Sequence, residues 1–197
     1  MSPSTIRRDD VAALILAGGQ ATRMGGRDKR MLVIEGRTIF ERQVDVLAPR
    51  VHEIVVSARA PLAGYRTVRD AVAGAGPLAG IAAGLSAATT PWLLVVAGDM
   101  PWLAGALVDR LLAHARDPVD AVGIRHQGLP EPLLCVLRVA RLRPEVERRL
   151  AERRLRASEL LSAGLDVVWL DASTLRDVDP ELRSLRNVNT PADLAAR

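Results

Sequence analysis

Gly18, Gly19, Gly25 and Gly26 lie in one short loop, together with the cations Arg23 and Lys29. Backbone free of Cβ atoms can turn successive N–H groups toward an anion, so a polyphosphate is the natural guest of such a loop. Glycine count alone is equally compatible with a flexible turn. No Gly-Lys-Ser/Thr follows, and G-x-G-x-x-G is absent, so the loop belongs to neither of two common phosphate-binding patterns. Lys29 shifts the balance toward chemistry. All but one of the 27 Lys and Arg residues are Arg, and the exception stands in this loop. A compact, mobile ammonium does what a planar guanidinium cannot.

Two carboxylates complete the set. Asp99 follows an apolar run and precedes Met100-Pro101, while Asp70 closes a shorter run. An aspartate in such a place is commonly a turn residue or a cap. Opposite a polyphosphate loop it is also a ligand for Mg²⁺, which takes one or two carboxylates and completes its shell with phosphate oxygens and water. Asp70 is open to several roles: metal, ribose, base or simple capping.

The elements that position these residues follow from periodicity. Residues 11–16, 54–57 and 92–97 are apolar runs of the kind found in strands buried on both faces, and 67–69 is a shorter one. Residues 31–34 form a further apolar stretch ending at the Glu35-Gly36 turn, and Thr38 caps a helix carrying Ile39, Val44, Leu47 and Ala48. Residues 74–84 lead into a small-residue helix reaching Ala88, and 103–115 is helical. Extended segments are expected at 121–124, 133–137 and 167–170. An Arg-rich amphipathic helix is expected over 144–161, and a short one over 191–195 with Pro in its first turn. Strands alternating with helices imply a largely parallel sheet with helices on both faces, whose ligands sit at the carboxyl ends of the strands. The glycine loop, Asp70 and Asp99 all fall at such ends and are expected to share one crevice.

Composition narrows the function classes. A pI of 10.4 invites a nucleic-acid reading, but the net charge is only +4 and aromatics for base stacking are 3% of the chain. Neither a nucleic acid nor a membrane is an expected partner. Cys135 is the only cysteine, which excludes an intrachain disulfide and a Cys-rich metal site. Arg7-Arg8 before the apolar run at 11–17 superficially resembles a signal peptide, but Asp9-Asp10 interrupts it and no convincing cleavage site follows. The expected organisation is a disordered leader, residues 1–10, and a single domain, 11–197, in a cytoplasmic protein.

Residues 16–29 (LAGGQATRMGGRDK) resemble the signature of the molybdenum cofactor guanylyltransferase family. The segments 76–81 (GPLAGI), 96–101 (VAGDMP), Glu131-Pro132 and 187–194 (NVNTPADL) are similar to that family's later motifs and keep their order. The resemblance implies a three-layer α/β/α sandwich with a mostly parallel, Rossmann-like nucleotidyltransferase sheet. It also implies joining of GTP and molybdopterin into molybdopterin guanine dinucleotide, with Mg²⁺ and release of pyrophosphate. Leu16, Ala17, Gly18, Gly19 and Lys29 would hold GTP, Asp70 would contact the nucleotide, and Asp99 would bind metal and nucleotide. Arg23 and Lys29 would stabilise the departing pyrophosphate. Gly76 and Gly80 would let backbone approach the substrates, while Arg154, Asn187 and Asn189 would lie on the acceptor side. Further implied partners are molybdoenzymes or cofactor carrier proteins, met transiently.

Two departures stand out. Ser57-Ala58-Arg59 replaces the Asn-rich residues frequent in the family, which bears on base contacts, and Gly98 replaces a Cys, which is expected to matter little. The alternatives are a nucleotidyltransferase of the same fold using CTP or a sugar phosphate, and a noncatalytic nucleotide-binding partner of a molybdoenzyme. If the lone ammonium is required, Lys29→Arg lowers turnover despite retaining charge, and Lys29→Ala lowers it further. Pyrophosphate-release kinetics check this, and unchanged kinetics in the Arg variant would make Lys29 an accident of composition.

Overall fold

The computed structural model describes residues 6–17, 29–70, 74–161, 164–188 and 193. Strand β1 (Val11–Leu16) is followed by a small hairpin of β2 (Val33–Ile34) and β3 (Arg37–Thr38), then helix α1 (Ile39–Leu47). Next come β4 (Glu53–Ser57), β5 (Arg66–Val68), α2 (Pro77–Ala87), β6 (Trp92–Ala97) and α3 (Gly105–His114). The chain continues through β7 (Ala121–His126), β8 (Leu129–Arg138), α4 (Val139–Ala151) and β9 (Val167–Asp171). The main sheet has seven strands in the order β5-β4-β1-β6-β8-β7-β9. β1 lies parallel to both β4 and β6, whereas β8 runs antiparallel to β6 and β7. The mostly parallel α/β sandwich expected from the sequence is therefore present.

Strand alternation divides the core into two layers. Val11, Ala13, Ile15, Leu94 and Val96 face α1 and α3, meeting Phe40, Leu47, Leu107, Val108 and Leu111. Ala12, Leu14, Leu93 and Val95 face α2 and α4, meeting Leu78, Ile81, Leu85, Leu142 and Val146. Helix α1 starts where expected. Thr38 Oγ1 accepts from the Glu41 N–H at 3.1 Å, and Glu41 Oε2 accepts from the Thr38 N–H at 2.8 Å, a reciprocal capping box.

Three expectations change. The helix expected over 144–161 is α4, Val139–Ala151, followed by a 3-10 turn at Ala157–Glu159. Pro144 lies inside it rather than at its start. Ala140, whose carbonyl loses its helical donor to that proline, is exposed, while Val139, Leu142 and Val146 form the buried face that sets the true start. The helix stops because Arg153 adopts φ +55°: Arg153 N–H donates to Leu150 O at 3.1 Å and Arg154 N–H to Arg149 O at 2.9 Å. This pair is a Schellman closure with arginine where glycine is usual. The strand expected at 133–137 is twice as long, because Gln127 (φ +52°) and Gly128 (φ +77°) turn β7 directly into β8. The last residues of the expected leader are structured. Arg8–Asp10 form a 3-10 turn, Asp10 Oδ2 accepts from the Arg7 N–H at 2.9 Å, and Arg8 Nε donates to Val51 O at 2.8 Å. The helix expected over 191–195 lies outside the described residues, apart from 193.

Cys135 is fully buried in β8, and burial pushes its thiol up to about 12. Thiolate is the reactive form. A thiol reagent at neutral pH should leave the native protein unlabelled and modify it only at the rate of unfolding. Rapid labelling under native conditions would contradict this packing.

Candidate active site

Three parallel strands end side by side. Leu16 is aligned with Ser57 of β4 on one flank and with Ala97 of β6 on the other. The ladder runs one residue further, since Ala17 N–H donates to Ser57 O and Gly98 N–H to Leu16 O, both at 2.9 Å. With neighbouring strands about 4.8 Å apart, the three ends span roughly 10 Å, the scale of a nucleoside. The first residues of the glycine loop are thereby launched from a fixed platform.

On the β4 side, the buried Ser57 Oγ donates to Asp70 Oδ1 at 2.9 Å, which aims the otherwise exposed Asp70 carboxyl. Helix α2 begins on the same edge behind Gly76 (φ +60°), an N-cap with no side chain to bond the first N–H groups. That end carries the positive pole of the helix, favourable to an anion. A Cβ on Gly80 would lie 2.8 Å from both Leu16 Cδ2 and Ser57 Oγ, so glycine there lets α2 settle onto the strand ends.

On the β6 side, Asp99 is half-buried in the turn after Ala97. Gly98 matters more than its small size implies, because a Cβ would sit 2.7 Å from the Leu16 carbonyl oxygen. Glu131 of β8 is near enough to Asp99 to feel its charge. Burial pushes the Glu131 carboxyl above its ordinary value against a hydrogen bond from the Leu133 backbone, and the Asp99 charge adds to the rise. Beneath the turn, buried Gln43 of α1 donates to Ala97 O at 2.7 Å and to Met100 O at 3.1 Å.

The acceptor-side candidates are delivered by topology. β8 runs away from this edge and α4 returns to it, bringing exposed Arg154, whose Nη1 lies 3.7 Å from Glu152 Oε2. Val188 N–H donates to Asp99 O at 2.9 Å, which sets exposed Asn187 beside the aspartate turn. Leu16, Ala17, Asp70, Asp99 and Asn187 thus share one edge. Lys29 opens a 3-10 turn, Lys29–Met31. Its side chain lies outside the described parts, as do Gly18, Gly19, Arg23 and Asn189. Among the described residues no group of three or more His, Cys, Asp or Glu could hold a metal, and no helix is long and apolar enough to cross a membrane. A cavity of about 400 Å³ beside α1, lined by Arg37, Phe40, Asp45 and Tyr65 among others, shares no residue with the strand-end site.

Three participants were not assigned roles in the sequence. Ser57 stood out only as a departure and Glu131 only as part of a motif. Gln43 carried no signal except polarity on an apolar helix face.

A mostly parallel α/β sheet with Leu16, Ser57, Asp70 and Asp99 at the carboxyl ends of β1, β4 and β6 is the arrangement of a nucleotide-binding α/β protein. Residues 13–177 match the MobA-like NTP transferase domain. The molybdenum cofactor guanylyltransferase of Pseudomonas aeruginosa is 36% identical over 191 residues, covering 92% of this chain and 91% of that protein. That of Desulfosudis oleivorans is 32% identical, covering 94% and 93%. Among solved structures, molybdopterin-guanine dinucleotide biosynthesis protein A from Archaeoglobus fulgidus superposes with a TM-score of 0.78 at 27% identity, covering 93% of this chain and 95% of that one. The fold alone is shared with 2-C-methyl-D-erythritol 4-phosphate cytidylyltransferase from Thermus thermophilus, at a TM-score of 0.69, 22% identity and coverage of 94% and 96%. The chain belongs to the molybdenum cofactor guanylyltransferase family and is a nucleotidyltransferase.

Ser57→Ala tests the β4 flank. Removing the hydroxyl frees the Asp70 carboxyl at a cost of about 1 kcal/mol in stability. If that carboxyl contacts nucleotide, affinity for the triphosphate falls about fivefold, the equivalent of a similar energy. Calorimetric titration of a correctly folded variant with unchanged affinity would remove Asp70 from the site.

Proposed function

We propose that this enzyme transfers GMP from GTP to molybdopterin with Mg²⁺, yielding molybdopterin guanine dinucleotide and pyrophosphate. The observation that carries the reading is the single edge on which Leu16–Ala17, the Ser57–Asp70 pair and the Asp99 turn converge, with Asn187 tied beside Asp99 through Val188. In this reading Leu16, Ala17, Gly18, Gly19 and Lys29 hold GTP, and Asp70 contacts the nucleotide. Arg154, Asn187 and Asn189 receive the acceptor.

A phosphate oxygen of molybdopterin attacks the α-phosphorus of GTP, and the bond from that phosphorus to the α–β bridging oxygen breaks. Both reactants are anions, so the work is alignment and charge neutralisation rather than proton transfer. The acceptor phosphate is already ionised and needs no general base. Arg23 and Lys29 balance the charge that develops on pyrophosphate. Asp99 and Glu131 fit a hard divalent cation: both offer oxygen, and the pair is half-buried with like charges close enough to raise the Glu131 carboxyl. Mg²⁺ held there would neutralise charge at the α-phosphate. The relatives are molybdenum cofactor guanylyltransferases, which supports guanylyl transfer to an acceptor of the molybdenum cofactor type.

The test is a panel of GTP, ATP and CTP with purified molybdopterin and Mg²⁺, reading pyrophosphate and the dinucleotide. A site that pairs polar groups with the guanine edge strongly prefers GTP, whereas equal turnover of CTP would overturn the base assignment. Asp99→Asn keeps side-chain size while removing charge, and turnover should fall roughly a hundredfold or more with the fold intact. Full activity of that variant across magnesium concentrations would reduce Asp99 to a turn residue.

A further inference from the structure

Gln43 sits where the periodicity of α1 calls for an apolar side chain. Its neighbours on the buried face are Ile39, Phe40 and Leu47, and it is itself 0% exposed. Its amide nitrogen donates to Ala97 O at 2.7 Å and Met100 O at 3.1 Å, the two carbonyls that bracket Gly98 and Asp99. Both partners are acceptors, so the amide orientation is fixed by chemistry. Among the described residues its Oε1 has no hydrogen-bond partner. A buried acceptor left unsatisfied costs stability. Methionine or leucine would avoid that cost but would take the amide donor from the two carbonyls, so the glutamine is explained by what it does to them.

The two carbonyls belong to the turn it grips. Gly98 N–H is held by Leu16 O, and Asp99 O is held by Val188 N–H. These bonds tie the turn to β1 and to the segment carrying Asn187, yet neither controls how the turn sits above α1. Gln43 supplies that third attachment from below, on both sides of the apex. We infer that Gln43 is a positioning residue that sets the Asp99 turn in the conformation that receives metal and nucleotide. The inference rests on the reading of Asp99 as the metal-holding carboxylate. It makes α1, which touches no substrate, part of the metal site.

The experiment measures GTP affinity by calorimetry in Mn²⁺ and in EDTA, without acceptor, for four full-length proteins: wild type, Asp99→Asn, Gln43→Met and Gln43→Glu. Metal should tighten GTP binding to the wild type, and Asp99→Asn should abolish that enhancement. Failure of this control would refute the metal assignment itself rather than the role of Gln43. Gln43→Met should lose about ten- to a hundredfold of the enhancement, as groups that orient a metal ligand typically do. Its affinity in EDTA should stay close to wild type, while its melting temperature falls by a few degrees as two buried hydrogen bonds are lost.

Gln43→Glu adds a readout that packing alone would not move. Burial raises the pKa of the new carboxyl, and only its protonated form can donate to a carbonyl. The enhancement, taken relative to wild type at the same pH, should therefore return as pH falls below about 6 and vanish above about 8. Should the methionine variant fail to fold, this pH profile decides alone. An enhancement unchanged in Gln43→Met, equal losses in Mn²⁺ and EDTA, or a flat profile in Gln43→Glu would each overturn the inference.

Discussion

The double pairing of β1 is the constraint on which the site depends. Leu16 is in register with Ser57 and with Ala97 at once, so three strand ends are cut off at the same level. A slip of one residue on either side would swap the two packed layers and take Leu14 off the space that Gly84 of α2 leaves for it, where a Cβ would lie 2.5 Å from Leu14 Cδ2. Because Val11, Ala12, Ala13, Leu14 and Ile15 are all fully buried, register is strongly specified. The two bonds beyond the strands, from Ala17 to Ser57 and from Gly98 to Leu16, extend that register past the strand ends.

Charge is organised around this frame rather than spread as a field. Much of the arginine excess is engaged in local pairs. Glu145 of α4 accepts from Arg148 and Arg149, and Glu152 from Arg148, so the helix that delivers Arg154 is laced along its own length. Arg50 reaches Asp109 and Arg110 reaches Asp177, joining α1 to α3 and α3 to the segment after β9. Exposed pairs of this kind contribute only about 0–1 kcal/mol each. Their effect is to neutralise part of the arginine excess locally. Glu131 is the opposite case: a carboxyl raised by its burial, with the Asp99 charge adding to the rise.

What was legible in the sequence followed one-dimensional rules. The runs of β1 and β6 are apolar throughout because both sheet faces are covered, and Thr38 with Glu41 announces a helix start through a local pair. What was illegible depended on contacts across the fold. Pro144 reads as a helix start, yet Val139 and Leu142 bury against α2 and the sheet and pull the start back. Gln127-Gly128 lacks the Asn or Asp that usually marks a two-residue hairpin, so β7 and β8 seemed separate. Ser57, Gln43 and Glu131 acquire meaning only from Asp70, the Gly98–Asp99 turn and Asp99, which lie 13 to 56 positions away in the chain.

The central claim is that nucleotide binds on the shared edge of β4, β1 and β6. Amide hydrogen exchange with and without GTP and Mg²⁺ tests it most directly, since binding suppresses local opening where contacts form. The account predicts slowed exchange in residues 16–19, 57–58, 76–79 and 98–100, with the segment around 187–188 following through its bond to Asp99. Exchange unchanged at those strand ends, with protection appearing instead around the cavity lined by Arg37, Phe40, Asp45 and Tyr65, would contradict it.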